Sequence, residues 1–511
     1  MQSLQDSAAT TAAPPLARCA GGALRGTRAD GVLRFLAVPY AAPPVGPNRF
    51  APPQPVHAWD GVRDATSPGF VAPQLQASPE ETAKMLPGLD LSPLIGESMR
   101  FGDDYLVSNI WTPSLDARAP VMVFIHGGAF TGGAGGAPVY DGTSFARRGV
   151  VCVTINYRLG VEGFLPIAGA PTNLGLRDQI AALKWVQENI AAFGGDAANV
   201  TVFGESAGAM SIGNLVVSPL AKGLFKRAII QSGHGAMVRP ISVAQRLTKR
   251  IAKILRVSPN VEGFRQASTE DCLKAMRKVS LPAAGIDLRD ETGREPAFGL
   301  SRFLPVYGDD VLPEHPHKAL ASGAAADIDI LIGTNRDEMN LYFVHAAKKL
   351  GKFLAKMMVK RVEPAGVDVL RAYGLDEKGR RTGEVFTEAL TDLVFCLPAR
   401  RFAQAHKGRT WFYEFKWKSG AYDGAMGACH AIELPFVFNT LSTVSGPQGL
   451  AGPNPPQAIA DRMNALWCDF ARSGELPWPQ YEAATPIVCT PETGQFGPDR
   501  DMPADRFIPR I

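Results

Sequence analysis

As a string of apolar and polar positions, the chain changes character near residue 105. Beyond it, short continuous apolar runs recur: Val121–Ile125, Val150–Ile155, Val200–Phe203, Arg227–Ile230, Ile328–Ile332 and Thr410–Trp417. Runs of this length, rich in β-branched and aromatic residues and lacking polar alternation, predict strands covered on both faces. Between them the period changes to that of a helix. Leu176–Phe193 carries apolar residues at 180, 183, 186 and 190 and stops at Gly194-Gly195, a helix ended by the residue that best tolerates a left-handed cap. A second helix is predicted over Ala458–Arg472. Strand–helix alternation of this kind implies right-handed crossovers in a large, mainly parallel sheet with helices on both faces, an α/β fold.

Elsewhere the pattern is weaker. Prolines in Phe35–Gly46 forbid a helix and predict edge strands and loops on an antiparallel flank. Residues 72–103 predict a long loop with one short helix near Pro79–Met85, of the kind that borders enzyme sites. The stretches 235–300 and 340–408 read as helical insertions around the active site. Within the second, Lys348–Arg361 holds six basic residues, read as a solvated helix face. No linker divides the chain, so 18–511 is expected to form one elaborated domain behind a disordered tail over 1–17.

Composition narrows the class. The 511 residues are 46% hydrophobic with a formal net charge of +4, enough for a sizeable core and too mild to suggest nucleic-acid or membrane partners. Met1–Pro15 is rich in Ala, Thr, Ser and Gln and lacks the apolar core of a signal peptide. Seven scattered cysteines without metal-type spacing fit reduced thiols. A cytoplasmic protein is expected, with secretion open if a leader has been trimmed.

One stretch carries chemistry. Thr201-Val202-Phe203-Gly204-Glu205-Ser206-Ala207-Gly208-Ala209 runs from a strand through Gly-x-Ser-x-Gly into helix-compatible residues, the context of a nucleophile elbow. The motif alone is weak, and its partners decide. Ile125-His126-Gly127-Gly128-Ala129-Phe130 follows a buried strand and suits an oxyanion loop, with the N–H of Ala207 as a further donor. Asp337 and Glu338 follow the 328–332 run, at the strand end where ligands bind, and local physics does not choose between them. Of the eight histidines, His57, His345 and His406 lie in polar or peripheral settings, and His315-Pro316-His317 reads as a surface loop. His126 is too close to the oxyanion loop. His430 lies downstream of the acid and keeps the order Ser, acid, His.

These motifs together resemble the type-B carboxylesterases, the family of bacterial para-nitrobenzyl esterases, animal carboxylesterases and cholinesterases. The resemblance runs from about residue 20 to 490. It rests on Pro39-Tyr40-Ala41, Ser108-Asn109-Ile110-Trp111-Thr112-Pro113, His126–Phe130, Asn156-Tyr157-Arg158-Leu159-Gly160, Gly175–Gln179, Ala192–Asp196, Phe203–Gly208, Gln231-Ser232-Gly233, Arg336-Asp337-Glu338 and His430 with Glu433-Leu434-Pro435-Phe436. It implies an α/β-hydrolase fold and a serine carboxylesterase that forms an acyl-enzyme. The nucleophile would be Ser206, the base His430 and the acid Glu338, with oxyanion donors on Gly128, Ala129 and Ala207. No metal or cofactor is implied, and the partner is a small-molecule ester. Ser232 would steady the triad, and Phe130, His234, Gly299 and Ser301 would line the pocket. The family's ion pairs would be Arg49–Asp103 and Arg158–Asp178.

Departures from the family also inform. The cysteine positions of its loop disulfide are Ala72 and Tyr105 here, and the 72–104 loop has no tryptophan, which removes the cation–π platform for choline. Gly299 and Ser301, at positions aromatic in cholinesterases, suggest a roomier acyl pocket. An acyltransferase or amidase with the same triad is the alternative, and a non-catalytic binding protein on the same fold the remoter one. An unperturbed histidine base would make activity fall below a pH of about 6.5.

Overall fold

A computed structural model describes residues 13–508 except 77–79, 82–85, 97–99, 281–284, 296 and 298. Its main element is an 11-stranded sheet. In chain order the strands are β1 (Thr27–Ala29), β2 (Val32–Pro39), β3 (Val107–Thr112), β4 (Ala119–Ile125), β5 (Val151–Ile155), β6 (Gly195–Glu205), β7 (Arg227–Gln231), β8 (Asp329–Asn335), β9 (Thr410–Phe415), β10 (Ile487–Thr490) and β11 (Gln495–Pro498). Across the sheet the order is β11-β10-β9-β8-β7-β6-β4-β5-β3-β2-β1. From β10 to β5 neighbouring strands are parallel, and β1, β2, β3 and β11 join antiparallel at the two flanks. This is the α/β-hydrolase fold.

The apolar runs have the burial their pattern requires. Side chains alternate between faces along each strand: Val121, Val123 and Ile125 enter one core, and Met122 and Phe124 the other. β5, β7 and β8 divide in the same way, with Cys152, Ile229 and Leu331 on the second face. A strand buried on both sides needs helices on both sides. One core is covered partly by α1 (Leu174–Asn189) and α2 (Ala207–Leu215), the other by a helix over Gln457–Ser473. The first of these ends through a 3₁₀ turn, Ile190–Phe193, capped by Gly194 at φ 75°. Its added Cβ would lie 1.9 Å from the Ser114 carbonyl oxygen, so close approach and left-handed geometry both demand glycine.

Register matters for function. Ile125 of β4 pairs with Gly204 of β6, which pairs with Ile230 of β7, which pairs with Ile332 of β8. Four parallel strands therefore end level, and the loops leaving them meet on one rim.

The amino-terminal expectation falls largely on residues 1–12, outside the described residues. Leu16 and Ala17 belong to a strand, Leu16–Cys19, in a separate three-stranded sheet. The helix expected near Pro79–Met85 lies mostly outside the described residues, of which Glu80 and Glu81 are helical, and a further short helix spans Ser92–Ile95. The insertions are helical, including Ile241–Leu255, Thr269–Ser280, Thr382–Thr391 and Leu397–Ala405. No helix among the described residues is long and apolar enough to cross a membrane.

Three side-chain expectations need correction. Arg49 pairs with Glu162, Nε to Oε1 at 3.0 Å, and not with the exposed Asp103. Tyr105, at a position of the family disulfide, donates to the other oxygen of Glu162 at 3.3 Å, so the loop is fastened by a polar cluster. His315-Pro316-His317 is no surface loop: Pro316 starts a helix and His317 is buried. His406 is likewise buried, between Thr410 Oγ1 and the Ala325 carbonyl. All seven cysteines are buried and unpaired.

Candidate active site

The rim formed by the level strand ends brings the sequence-selected residues together. Ser206 sits between β6 and α2 at φ 55° and ψ −122°, a conformation that costs about 1–3 kcal/mol and persists only where the surroundings impose it. Its N–H donates to the Gln231 carbonyl at 3.0 Å and its carbonyl accepts from the Met210 N–H. The flanking glycines allow α2 to lie against β4: a Cβ on Gly208 would meet the Ile125 carbonyl oxygen at 1.9 Å, and one on Gly204 the same atom at 2.6 Å.

β4 delivers the oxyanion loop. Gly128, Ala129 and Phe130 have φ of 109°, 55° and 62°, which turns the loop back over the elbow. A Cβ on Gly128 would fall 2.1 Å from the Gly132 carbonyl oxygen. Among the described residues no acceptor takes the N–H of Gly128 or Ala129. Ala207 is the first residue of its helix, so its N–H has no partner within the helix. The loop is braced from behind. His126 stacks on Tyr157 with ring centroids 4.4 Å apart, and the Tyr157 hydroxyl donates to the His126 carbonyl. Burial lowers the His126 pKa to about 4, so the brace is neutral. Gln74 bonds Gly133 through both amide atoms, tying the long 72–104 loop to the same turn.

β8 and the segment after β9 deliver the acid and the imidazole. His430 Nδ1 donates to Glu338 Oε2 at 2.6 Å, and Glu338 Oε1 accepts the Asn335 N–H at 2.8 Å. The neighbouring Asp337 faces elsewhere, accepting the Ala428 N–H at 2.9 Å. Geometry thus separates two adjacent carboxylates that local physics could not, and it favours the one the resemblance implied. The imidazole lies between the rings of Phe395 and Tyr342, at centroid distances of 4.8 and 5.5 Å.

The other imidazole nitrogen, Nε2, faces Glu205 Oε1 at 3.0 Å. Neither atom has a directed hydrogen-bond partner. The Tyr342 side chain lies beside Ser206. Glu433 stands behind this group, held by Gln231 and Asn335. Three buried carboxyl groups therefore surround one imidazole. Burial alone would lower the His430 pKa, but Glu205 and Glu338 outweigh it and raise it to about 9. Burial raises Glu205 well above the usual carboxylate range, despite the opposing pull of His430. Both shifts describe one proton shared in a cluster that cannot carry three negative charges.

Tyr342, Glu205 and Glu433 were not singled out from sequence as site residues. Glu205 lies inside the elbow motif, and its place directly before Ser206 was the available signal. Among the expected pocket residues, Ser301 donates to the Ala129 carbonyl at 2.7 Å and so touches the oxyanion loop. Phe130 is fully buried against Phe164. Gly299 is exposed, with open space around an added Cβ. His234 is a packed core histidine: Nε2 bonds the Val394 carbonyl, Nδ1 accepts the Ala236 N–H, and burial lowers its pKa to about 4. Ser232 is buried with φ 52°, and its hydroxyl has no hydrogen-bond partner among the described residues, so it does not bond the triad. The expected pair Arg158–Asp178 is present, buried and bidentate at 2.6 and 2.8 Å. Among the described residues no group of three or more His, Cys, Asp or Glu side chains is placed to hold a metal ion.

A model of the carboxylesterase family matches residues 13–494. The chain belongs to the carboxylesterase family. It is a carboxylic ester hydrolase. It is 38% identical to the para-nitrobenzyl esterase of Bacillus subtilis over 91% of this chain and 92% of the relative. It is 33% identical to the cocaine esterase of Homo sapiens over 88% and 82%. A solved PNB esterase superposes with a TM-score of 0.82 at 34% identity, covering 97% of this carboxylesterase and 99% of the other chain. A carboxylesterase of Geobacillus stearothermophilus gives 0.80 at 36%, over 96% and 98%.

Proposed function

We propose that this carboxylesterase cleaves its esters through an acyl-enzyme on Ser206, with His430 as base and Glu338 as the group that orients it. The observation that carries the reading is the 2.6 Å bond from His430 Nδ1 to Glu338, which leaves Nε2 facing the elbow as the only basic nitrogen. The Ser206 proton passes to Nε2 as Oγ attacks the ester carbonyl. The N–H groups of Gly128, Ala129 and Ala207 receive the oxyanion. His430 returns the proton to the departing alkoxide, releasing the alcohol. Water then repeats the sequence and frees the acid. Before attack the Ser206 hydroxyl must turn to Nε2, as catalytic hydrogen bonds commonly tighten only with substrate bound.

The substrates we infer are small uncharged esters, in keeping with a relative named for a para-nitrobenzyl ester. The tryptophan-free loop offers no platform for a quaternary ammonium. A panel of p-nitrophenyl and p-nitrobenzyl esters with graded acyl length, scored by kcat/KM with acid and alcohol quantified, tests this. Release of alcohol without equivalent acid in the presence of a second alcohol would instead identify a transferase.

A further inference from the structure

The basic block read from sequence as a solvated helix face also exposes large apolar side chains. Helix Lys352–Val362 turns Ala355, Val359 and Val362 inward. Its outer side carries Phe353, Leu354 and Met357, which are 83%, 43% and 53% exposed. At 100° per residue these three share one arc, with Lys356 and Lys360 on one border and Arg361 within reach of the other. Isolated apolar side chains on a surface need no explanation. Three on one helix arc, including the most exposed large apolar side chain among the described residues, do.

Charge defines the rest of the patch. No acidic residue occurs between Met339 and Val362. Lys352 pairs with Asp376 and Arg361 with Glu295. Lys348, Lys349, Lys356 and Lys360 have no carboxylate within ion-pair distance among the described residues. We propose that this face docks on an anionic lipid surface, Phe353, Leu354 and Met357 entering the headgroup boundary while the lysines meet phosphate. A large apolar residue at the centre of a cationic ring is the pattern of a helix lying in a membrane interface, and lysine stems can lie along apolar surface with their charges in the headgroups. This departs from the sequence expectation of no membrane partner.

The full-length protein should sediment with vesicles of mixed phosphatidylglycerol and phosphatidylcholine at low salt, and be released as salt rises. Each lysine near an anionic surface contributes about fivefold, so Lys356→Gln/Lys360→Gln should bind roughly 25-fold more weakly. Phe353→Ser/Met357→Ser should lose binding while keeping full hydrolysis of soluble p-nitrophenyl acetate, which shows that it folds. The proposal is overturned if the wild type stays in the supernatant, if it binds pure phosphatidylcholine equally, or if Phe353→Ser/Met357→Ser pellets like the wild type. A wild-type dimer in light scattering that the same variant dissociates, without vesicle binding, would assign the face to a second copy instead.

Discussion

Replacing Glu205 with glutamine removes one negative charge from the side of His430 that must accept the Ser206 proton. The atoms are 3.0 Å apart. At an effective dielectric of about 20, a full ion pair at that distance is worth roughly 5 kcal/mol, a ceiling of about four pH units on the imidazole. The net elevation is smaller, from 6.5 to about 9, because burial opposes the carboxylates and Glu338 supplies part of the pull. A single opposite charge at this range typically shifts a titration by about 1–3 units, so Glu205→Gln should lower the acidic limb by about one to two. The sign is set by the base: a raised pKa keeps His430 protonated and idle, and activity appears only as pH climbs through it. In the wild type the acidic limb of kcat/KM should therefore lie above 6.5, higher than an unperturbed histidine would give. In Glu205→Gln it should move down toward 6.5. The assay is kcat/KM for p-nitrophenyl butyrate from pH 5 to 10, with a leaving group whose absorbance is read at its isosbestic wavelength. Superimposable profiles would show that Glu205 holds its proton and contributes no charge, and the reasoning would be wrong.

Other expectations are simpler. Glu338→Gln should lower kcat by about 10⁴-fold, because an amide no longer favours the correct tautomer, whereas Asp337→Asn should stay within about tenfold of wild type; equal losses would reverse the assignment of the acid. Gly128→Ala should cost at least about 10²-fold in kcat with unchanged thermal stability of the core, since its Cβ collides with the Gly132 carbonyl and displaces an oxyanion donor. Arg158→Ala should destabilise by roughly 3–5 kcal/mol in urea unfolding, because it leaves Asp178 buried and unpaired. A change below about 1 kcal/mol there would mean that water replaces the guanidinium.

The sheet was legible because its strands are buried on both faces, so period-two alternation gives way to continuous apolar runs such as Val121–Ile125. The elbow was legible because Gly204 and Gly208 are forced by the approach of the Ile125 carbonyl, a constraint that leaves a sequence trace. The choice of Glu338 over Asp337 was not legible from local physics. Two adjacent carboxylates have the same polarity, and only the turn after β8 sends one to His430 and the other to Ala428. Arg49 illustrates the same limit: its partner is chosen by the short helix Gly160–Phe164, which places Glu162 nearer than Asp103. Tyr342 reaches the His430 ring from a short helix with no periodic signal of its own. His317 and His406 look peripheral beside polar and proline neighbours, yet tertiary packing buries both. Counting charges over Lys348–Arg361 could not show that Phe353, Leu354 and Met357 share the outer side of Lys352–Val362 with the lysines.

The central claim, that Ser206 is the attacking atom, is tested most directly by reaction with a fluorophosphonate followed by intact mass and peptide mapping. One adduct per chain, on the peptide containing Ser206, with complete loss of ester hydrolysis and no labelling of Ser206→Ala, is the predicted result. Labelling of Ser206→Ala at the wild-type rate, or full activity after stoichiometric labelling elsewhere, would contradict it.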